Sequence, residues 1–251
     1  MRLTVLGCAG SMPGPDSPCS SYLLEAEDFR LLIDFGIGAL GALQREQLLY
    51  DIDAIVLSHL HLDHCADVAS YIVARHYYPP HGEPLPKIPL HAPAGAAARI
   101  AEIGGAGVGN HAAEVFEFRT MLRGELEIGP FTLNLAHVNH PIETFGMRIE
   151  HAGRVLTYSG DTGESDALID LARNADLFLC EASFDENPNN PPDVHLSGSQ
   201  AGQHAMKAAA RKLLLTHLVS PHVDENETLE IARRHYTGQV ELARAGWVYD
   251  I

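Results

Sequence analysis

The sequence predicts an α/β protein built as an αββα four-layer sandwich, read as one domain over residues 1–251. Three observations carry that reading. Apolar strand-like segments alternate with helical segments through the first half, and the same grammar returns in the second. Strands in both halves end in metal-ligand residue types. No Ser/Gly-rich linker separates the halves.

Residues 2–6 open the chain as a strand, and Gly10, Pro13, Gly14 and Pro15 exclude a helix from the loop over 7–17. Strands follow at 20–25 and 30–34, then a helix over 39–49 introduced by Gly36-Ile37-Gly38, then a strand at 52–57. A helix is expected over 65–76, and a Pro-rich loop over 77–93 with a short strand at 88–91. Residues 94–102 read as helix and 104–109 as flexible by composition. In the second half, strands are expected at 125–128, 131–137, 146–150 and 154–159, the last two as a hairpin around Ala152-Gly153. Helices at 166–173, 197–211 and 224–235 alternate with strands at 177–180, 212–216, 239–243 and 247–249.

Composition narrows the function classes. The hydrophobic fraction of 46% belongs to a folded chain rather than a disordered one. No stretch nears the ~18 consecutive apolar residues of a membrane span, and the first residues read as a strand and Gly turn, not as a signal peptide. Cys8, Cys19, Cys65 and Cys180 show no CxxC spacing, which fits a reducing, cytoplasmic setting. The sequence leaves redox sensitivity of these cysteines open, for Cys65 above all because it abuts a candidate ligand. Seventeen Lys and Arg against 33 Asp and Glu give a formal charge of −16. Such a surface repels polyanions, and the basic residues are scattered singly, so a small substrate is expected rather than a large RNA.

The chemistry concentrates in one hexapeptide. His59-Leu60-His61-Leu62-Asp63-His64 places four ligand side chains directly after the apolar segment 53–58. Imidazole and carboxylate donors together suit zinc, and also iron or manganese. Side chains alternate along an extended segment, so His59 and His61 can point the same way; after a turn, Asp63 and His64 can face a second metal position. Three more candidates, His140, Asp161 and His217, sit just past expected strands, where open αβ sheets place their chemistry. Each alone would pass for a turn residue or helix cap. Beside the hexapeptide they read as ligands.

This set resembles the metallo-β-lactamase superfamily over essentially the whole chain. The HxHxDH hallmark is matched by residues 59–64, and the later ligands by His140, by Asp161 in Tyr158-Ser159-Gly160-Asp161-Thr162, and by His217 in Leu213-Leu214-Leu215-Thr216-His217. The resemblance implies two divalent ions, zinc or else manganese. His59, His61 and His140 would hold one and Asp63, His64 and His217 the other, with Asp161 and a hydroxide bridging them. Two divalent ions against two carboxylates and a hydroxide leave about one residual positive charge, which matches a phosphodiester monoanion.

Finer resemblance points to the ribonuclease Z-like branch. It rests on Leu6-Gly7-Cys8-Ala9-Gly10-Ser11-Met12-Pro13, on His140-Pro141-Ile142-Glu143-Thr144-Phe145-Gly146, on Glu181-Ala182-Ser183-Phe184 and on His195-Leu196-Ser197. In that branch such a Glu and His form a proton-delivering pair, so His195 would protonate the leaving oxygen and Glu181 would orient its ring. With Asp63 these are the candidate catalytic residues. Ribonuclease Z proper carries a long basic arm between the ligands matched by His140 and Asp161. Here residues 141–160 hold only a compact hairpin, with Arg148 and Arg154 as its basic side chains.

The resemblance therefore implies a small cyclic-nucleotide phosphodiesterase, acting on 3′,5′-cyclic AMP or a similar small diester, with no nucleic acid and no membrane as partner. A homodimer fits the branch. The insert 77–119 is expected to overhang the site, with Tyr77, Tyr78 and Phe116 as stacking candidates and His222 as a partner of a ligand. The competing readings are a ribonuclease Z-type RNA 3′-processing endonuclease, a metal-dependent acyl hydrolase or lactonase, and a binding protein that has lost the chemistry.

Overall fold

Alternation within the strands sets the layers. In β1 (Arg2–Gly7), β2 (Ser21–Ala26) and β3 (Phe29–Ile33), Leu3, Val5, Tyr22, Leu24, Leu31 and Ile33 enter one core, while Leu6, Leu23 and Leu32 enter another. The computed structural model describes residues 1–219 and 222–251. Helices α1 (Ala39–Arg45), α2 (Leu62–Ile72), α3 (Ala96–Val108) and α4 (Ala112–Val115) cover the outer face of the first sheet and bury Leu43, Val68, Ile100 and Val115 there. That sheet is completed by β4 (Ala54–Val56), β5 (Ile88–Ala92), β6 (Phe116–Thr120) and β14 (Val248–Asp250), in the order β14-β1-β2-β3-β4-β5-β6.

The second sheet mirrors the first. It comprises β7 (Gly124–Ile128), β8 (Phe131–His137), β9 (Phe145–His151), β10 (Arg154–Tyr158), β11 (Leu177–Glu181), β12 (Lys212–Thr216) and β13 (Gln239–Leu242), ordered β13-β12-β11-β10-β9-β8-β7. Its inner residues Phe131, Leu133, Met147, Ile149, Leu179 and Leu214 meet the first sheet. Its outer residues Phe178, Leu213 and Leu215 pack under α5 (Asp166–Leu171), α6 (Gly198–Ala208) and α7 (Glu225–His235). In each half an antiparallel run passes into parallel strands, β3 to β6 and β10 to β13. The four-layer sandwich is the architecture the sequence predicts. Among the described residues no helix is long and apolar enough to cross a membrane.

Three local expectations are corrected. Residues 77–119 are not an insert added to the fold, although Ala94 N–H and Arg99 Nε reach Glu143 and the Leu60 carbonyl beside the ligand-bearing loops. These residues supply β5, α3, α4 and β6 to the first half, and the strand Phe116–Thr120 was not anticipated. Phe116 is consequently buried in the core against Tyr71, with ring centroids 6.4 Å apart, and is not available for stacking on a ligand. The glycine-rich stretch 104–109 is helical with one break, at Gly105 (φ +65°). Cys65 is buried, and burial pushes its thiol up to about 12, which disfavours the reactive thiolate that redox chemistry needs.

Close backbone contacts seat the ligand-bearing loops. A Cβ on Gly36 would lie 1.9 Å from the carbonyl oxygen of Asp63, and one on Gly10 would lie 2.4 Å from that of His217. Neither loop can keep its place beside a larger residue. Gly36→Ala is therefore expected to lower stability by about 1–3 kcal/mol, read by urea unfolding. A change within roughly 0.5 kcal/mol, the range of ordinary surface substitutions, would mean that the Asp63 turn gives way freely.

Candidate metal centre

The site lies where the parallel strands of both sheets end. Asp34 follows β3, His59 and His61 follow β4, His140 lies in the turn after β8, Asp161 follows β10 and His217 follows β12. His61 is the N-cap of α2, which puts Asp63 and His64 in that helix's first turn, where the helix dipole favours a carboxylate. The backbone is strained here. Ser11, Asp34 and His217 have φ of +58°, +56° and +57°, a region costing a non-glycine residue about 1–3 kcal/mol. Hydrogen bonds hold it: His217 N–H donates to the Cys8 carbonyl (2.9 Å), Asp34 N–H to the Val56 carbonyl (2.8 Å), and Ser11 N–H to Asp63 Oδ2 (2.8 Å).

Seven expected ligands converge as two sets sharing one residue: His59, His61, His140 and Asp161, and Asp63, His64, Asp161 and His217. Asp161 reaches both. Its Oδ2 lies 3.6 Å from His59 Nε2, and its Oδ1 lies 3.1 and 3.5 Å from His64 and His217 Nε2. Inward nitrogens crowd together, His59 Nε2 and His140 Nε2 at 3.1 and 3.2 Å from His61 Nδ1, and His64 Nε2 at 3.1 Å from His217 Nε2. Donors held 2.0–2.1 Å from a tetrahedral ion stand about 3.4 Å apart, so this spacing suits ligands around a cation.

The outward nitrogens explain why the inward ones are free. His59 Nδ1 meets Ser58 Oγ (3.0 Å), His64 Nδ1 meets Asp34 Oδ2 (2.7 Å), His140 Nδ1 donates to the Val194 carbonyl (2.9 Å) and His217 Nδ1 meets Ser183 Oγ (2.8 Å). With the ring proton spent outward, each Nε2 turns a lone pair toward the others. Asp161 Oδ1 is buried without a hydrogen-bond partner. Lone pairs facing lone pairs around an orphaned carboxylate oxygen are costly in a buried site unless a cation sits among them. The residues present fit a pair of divalent ions.

Electrostatics agree. Burial, aided by neighbouring imidazoles and opposed by nearby carboxylates, holds His59, His61 and His140 below the ordinary histidine range, keeping them neutral donors. Burial opposes the charge of His64, yet Asp161 and Asp34 outweigh it and raise that imidazole well above the ordinary value. Burial likewise opposes the carboxylate of Asp161, but His217, His64 and His59 hold it ionised. The cluster attracts positive charge, and a proton on His64 competes with a metal for the same lone pair.

Asp34, fully buried, organises this from behind. Besides His64 it accepts from Ser58 N–H (2.6 Å), Ser58 O–H (2.8 Å) and Tyr158 O–H (2.7 Å). Asp34→Asn replaces an acceptor by a donor at one of these contacts. We expect metal affinity to fall roughly 10–100-fold, measured by competition with a chelating indicator. Unchanged affinity would show that His64 needs no such support.

Glu181 and His195 stand beside the cluster. Glu181 is fully buried and accepts from Thr162 N–H (2.7 Å), Leu196 N–H (3.3 Å) and Ser183 N–H and O–H (3.2 and 2.9 Å). Its Oε1 lies 2.8 Å from His195 Nδ1. Burial works to lower the pKa of His195, but the charge and hydrogen bond of Glu181, with Asp161 and Asp63 behind, hold it at about 9. The ring lies 5.5 and 5.6 Å from those of His140 and His217 and lines a cavity of about 510 Å³ with Ser11, Ser183, Phe184, Asn190 and His222. That volume suits a small ligand.

Other expectations are redirected. His222 is exposed on the rim of this cavity, and the ligands' outer nitrogens go instead to Ser58, Asp34, Val194 and Ser183. Tyr77 packs edge-on against His76 and His111, at the far end of α2's π-helical extension Val73–Tyr77. Tyr78 is 70% exposed, and its carbonyl accepts from Tyr50 O–H.

Comparison with known proteins places the chain. A beta-lactamase superfamily domain matches residues 29–218. The chain is 42% identical over 256 residues to the uncharacterized protein Rv1339 of Mycobacterium tuberculosis, covering 100% of this chain and 92% of that one. It is 30% identical over 263 residues to the probable metallo-hydrolase YhfI of Bacillus subtilis, covering 100% of both. The crystal structure of YhfI superposes with a TM-score of 0.86 at 27% identity, over 99% of each chain. A ribonuclease Z of Myxococcus xanthus is 27% identical over 307 residues, covering 100% of this chain and 98% of that one.

Proposed function

Because the chain belongs to the metallo-β-lactamase superfamily, in its ribonuclease Z-like branch, we propose that this metallo-hydrolase is a dinuclear phosphodiesterase acting on a small diester such as 3′,5′-cyclic AMP. The observation that carries the reading is the Glu181–His195 pair beside the ligand cluster. A phosphodiester expels an alkoxide, a poor leaving group that needs a proton, and His195 is placed to give one.

The ligand assignment follows the two convergent sets, His59, His61 and His140 for one ion, Asp63, His64 and His217 for the other, and Asp161 for both. Zinc is the metal these donors suit, with manganese as the alternative. Two bound ions would lower the pKa of a water and neutralise charge on the phosphoryl oxygens. The protein's own residues do the rest. Asp63 ties the loop of Ser11 to the cluster, and the strained His217 and Asp34 fix donor directions before substrate arrives. Glu181, locked by four further hydrogen bonds, holds His195 Nδ1 so that the Nε2 proton is free for the leaving oxygen.

The ribonuclease Z relative favours a second reading, RNA 3′-end cleavage. Against it, both basic side chains of the hairpin β9–β10 are engaged within the protein. Arg148 binds Glu150 and the Leu171 and Arg173 carbonyls, and Arg154 binds Asp176. With the charge of −16, little here grips a polyanion. The deciding experiment incubates zinc- or manganese-loaded protein with 3′,5′-cyclic AMP, with precursor transfer RNA alongside and His140→Ala as control. Metal-dependent release of AMP that the variant abolishes supports the small-diester reading. Cleavage of the RNA alone makes the protein a nuclease.

A further inference from the structure

Seven of the eight phenylalanines belong to one of the three cores or pack against one, and Phe184 is the exception. It is half-buried and lines the cavity beside the ligand cluster. We propose that Phe184 is the specificity-determining residue for the base of a nucleotide substrate, its ring packing flat against a nucleobase while the phosphate lies at the metal centre. This rests on the phosphodiesterase reading of that centre.

The position of Phe184 is fixed from both sides. Its N–H donates to the Leu196 carbonyl (3.0 Å), and it pairs with Ser197 as a single parallel β-bridge, which ties it to the segment carrying His195. The preceding Ser183 meets His217 Nδ1 (2.8 Å) and donates to the His217 carbonyl (2.7 Å), which ties it to a ligand loop. The Phe184 ring is thus held in register with both the proton donor and the cluster, the condition for reading one end of a substrate while the other reacts.

Distances place it one step beyond His195. The His195 ring lies 5.5 and 5.6 Å from those of His140 and His217, and 5.0 Å from that of Phe184. A ribose whose 3′-oxygen takes the proton of His195 therefore carries its base within reach of Phe184. The Phe184 and His195 planes are inclined by 88°, an edge-to-face contact that leaves at least one face of the phenyl ring uncovered by His195. The cavity of about 510 Å³ adds Val194, Val219 and Val223 as apolar wall, with Asn190 and His222 as polar groups. Among the described residues no lysine or arginine lines it. Such a wall suits the flat, uncharged base of a nucleotide, and gives a second phosphate no cation to meet.

The test is isothermal titration calorimetry of zinc-loaded protein with AMP and with ribose 5-phosphate, which share the phosphate and differ by the base. Wild type should bind AMP roughly 10–100-fold more tightly, the usual worth of one base–aromatic stack. Phe184→Ala should lose most of that preference by weakening AMP alone. Phe184→Tyr keeps the aromatic plane and should keep the preference. With 3′,5′-cyclic AMP as substrate, the alanine variant should show its loss in KM rather than in kcat. Wild type that binds both ligands alike, or an alanine variant that keeps the preference, overturns the base site while leaving the phosphodiesterase reading standing. Loss of both ligands in the alanine and tyrosine variants alike marks a structural role and also overturns it. A preference that Phe184→Ala removes and Phe184→Tyr restores upholds the base site. Because binding needs no turnover, that result holds even where cyclic AMP is not cleaved, and it is then the diester reading that falls.

Discussion

Asp161→Ala should reduce turnover to background and lower the metal content of the central cluster, leaving one ion or none where wild type holds the proposed pair. The expectation follows from its double membership. Every other expected ligand serves one set, whereas Asp161 turns Oδ2 toward His59 and Oδ1 toward His64 and His217. Removing it strips a donor and a negative charge from both positions at once. Mutual repulsion between two divalent ions then loses its nearest counter-charge. The same substitution withdraws the leading influence that raises His64, whose pKa should fall. Wild-type metal affinity should weaken on acidification, because the His64 proton must leave before its lone pair can bind an ion. With Asp161 gone, that competition shifts to lower pH. Plasma mass spectrometry and turnover on the same samples decide the point. A variant that keeps two tightly held ions shows that Asp161 is not shared.

What the sequence disclosed and what it hid divide along local and non-local lines. His59 to His64 form a contiguous run of ligand types after an apolar strand, and the strand-end positions of His140, Asp161 and His217 follow from the same alternation that orders the cores. The four layers were legible because nearly every strand splits its apolar residues between two faces. Asp34 was not legible as part of the site. It reads as the last residue of a strand, and its role appears only when Tyr158, 124 residues away, and His64 fold against it. Ser183 is similar, since its bond to His217 links two different strand ends. The strand Phe116–Thr120 was hidden by the glycine-rich stretch before it, which suggested a loop but folds as a broken helix. Glu181 and His195 were visible only through family resemblance. No local pattern announces a carboxylate and an imidazole that meet from positions 14 apart in the chain.

His195→Ala should lower cyclic-diester turnover by roughly 10²–10⁴-fold, the usual contribution of a positioned general acid, while metal content stays at the wild-type value. The size of the loss should depend on the leaving group. An alkoxide such as the ribose 3′-oxygen needs the proton, so the full loss falls on cyclic AMP. A nitrophenolate leaves unaided, so a nitrophenyl diester should lose far less. A residue that merely supports the fold would damage both substrates alike, which makes this contrast the sharper reading of the role. The pH profile gives a second readout. Glu181 holds the imidazole up at about 9, so the proton-donating form is present below that value and is lost as pH rises through it. Two bound cations would repel the imidazolium and bring that limb toward neutrality. Wild-type turnover of cyclic AMP should therefore show an alkaline fall that the alanine variant lacks. Near wild-type turnover in His195→Ala would remove the general-acid assignment, and with it the observation that favours diester over acyl chemistry at this cluster.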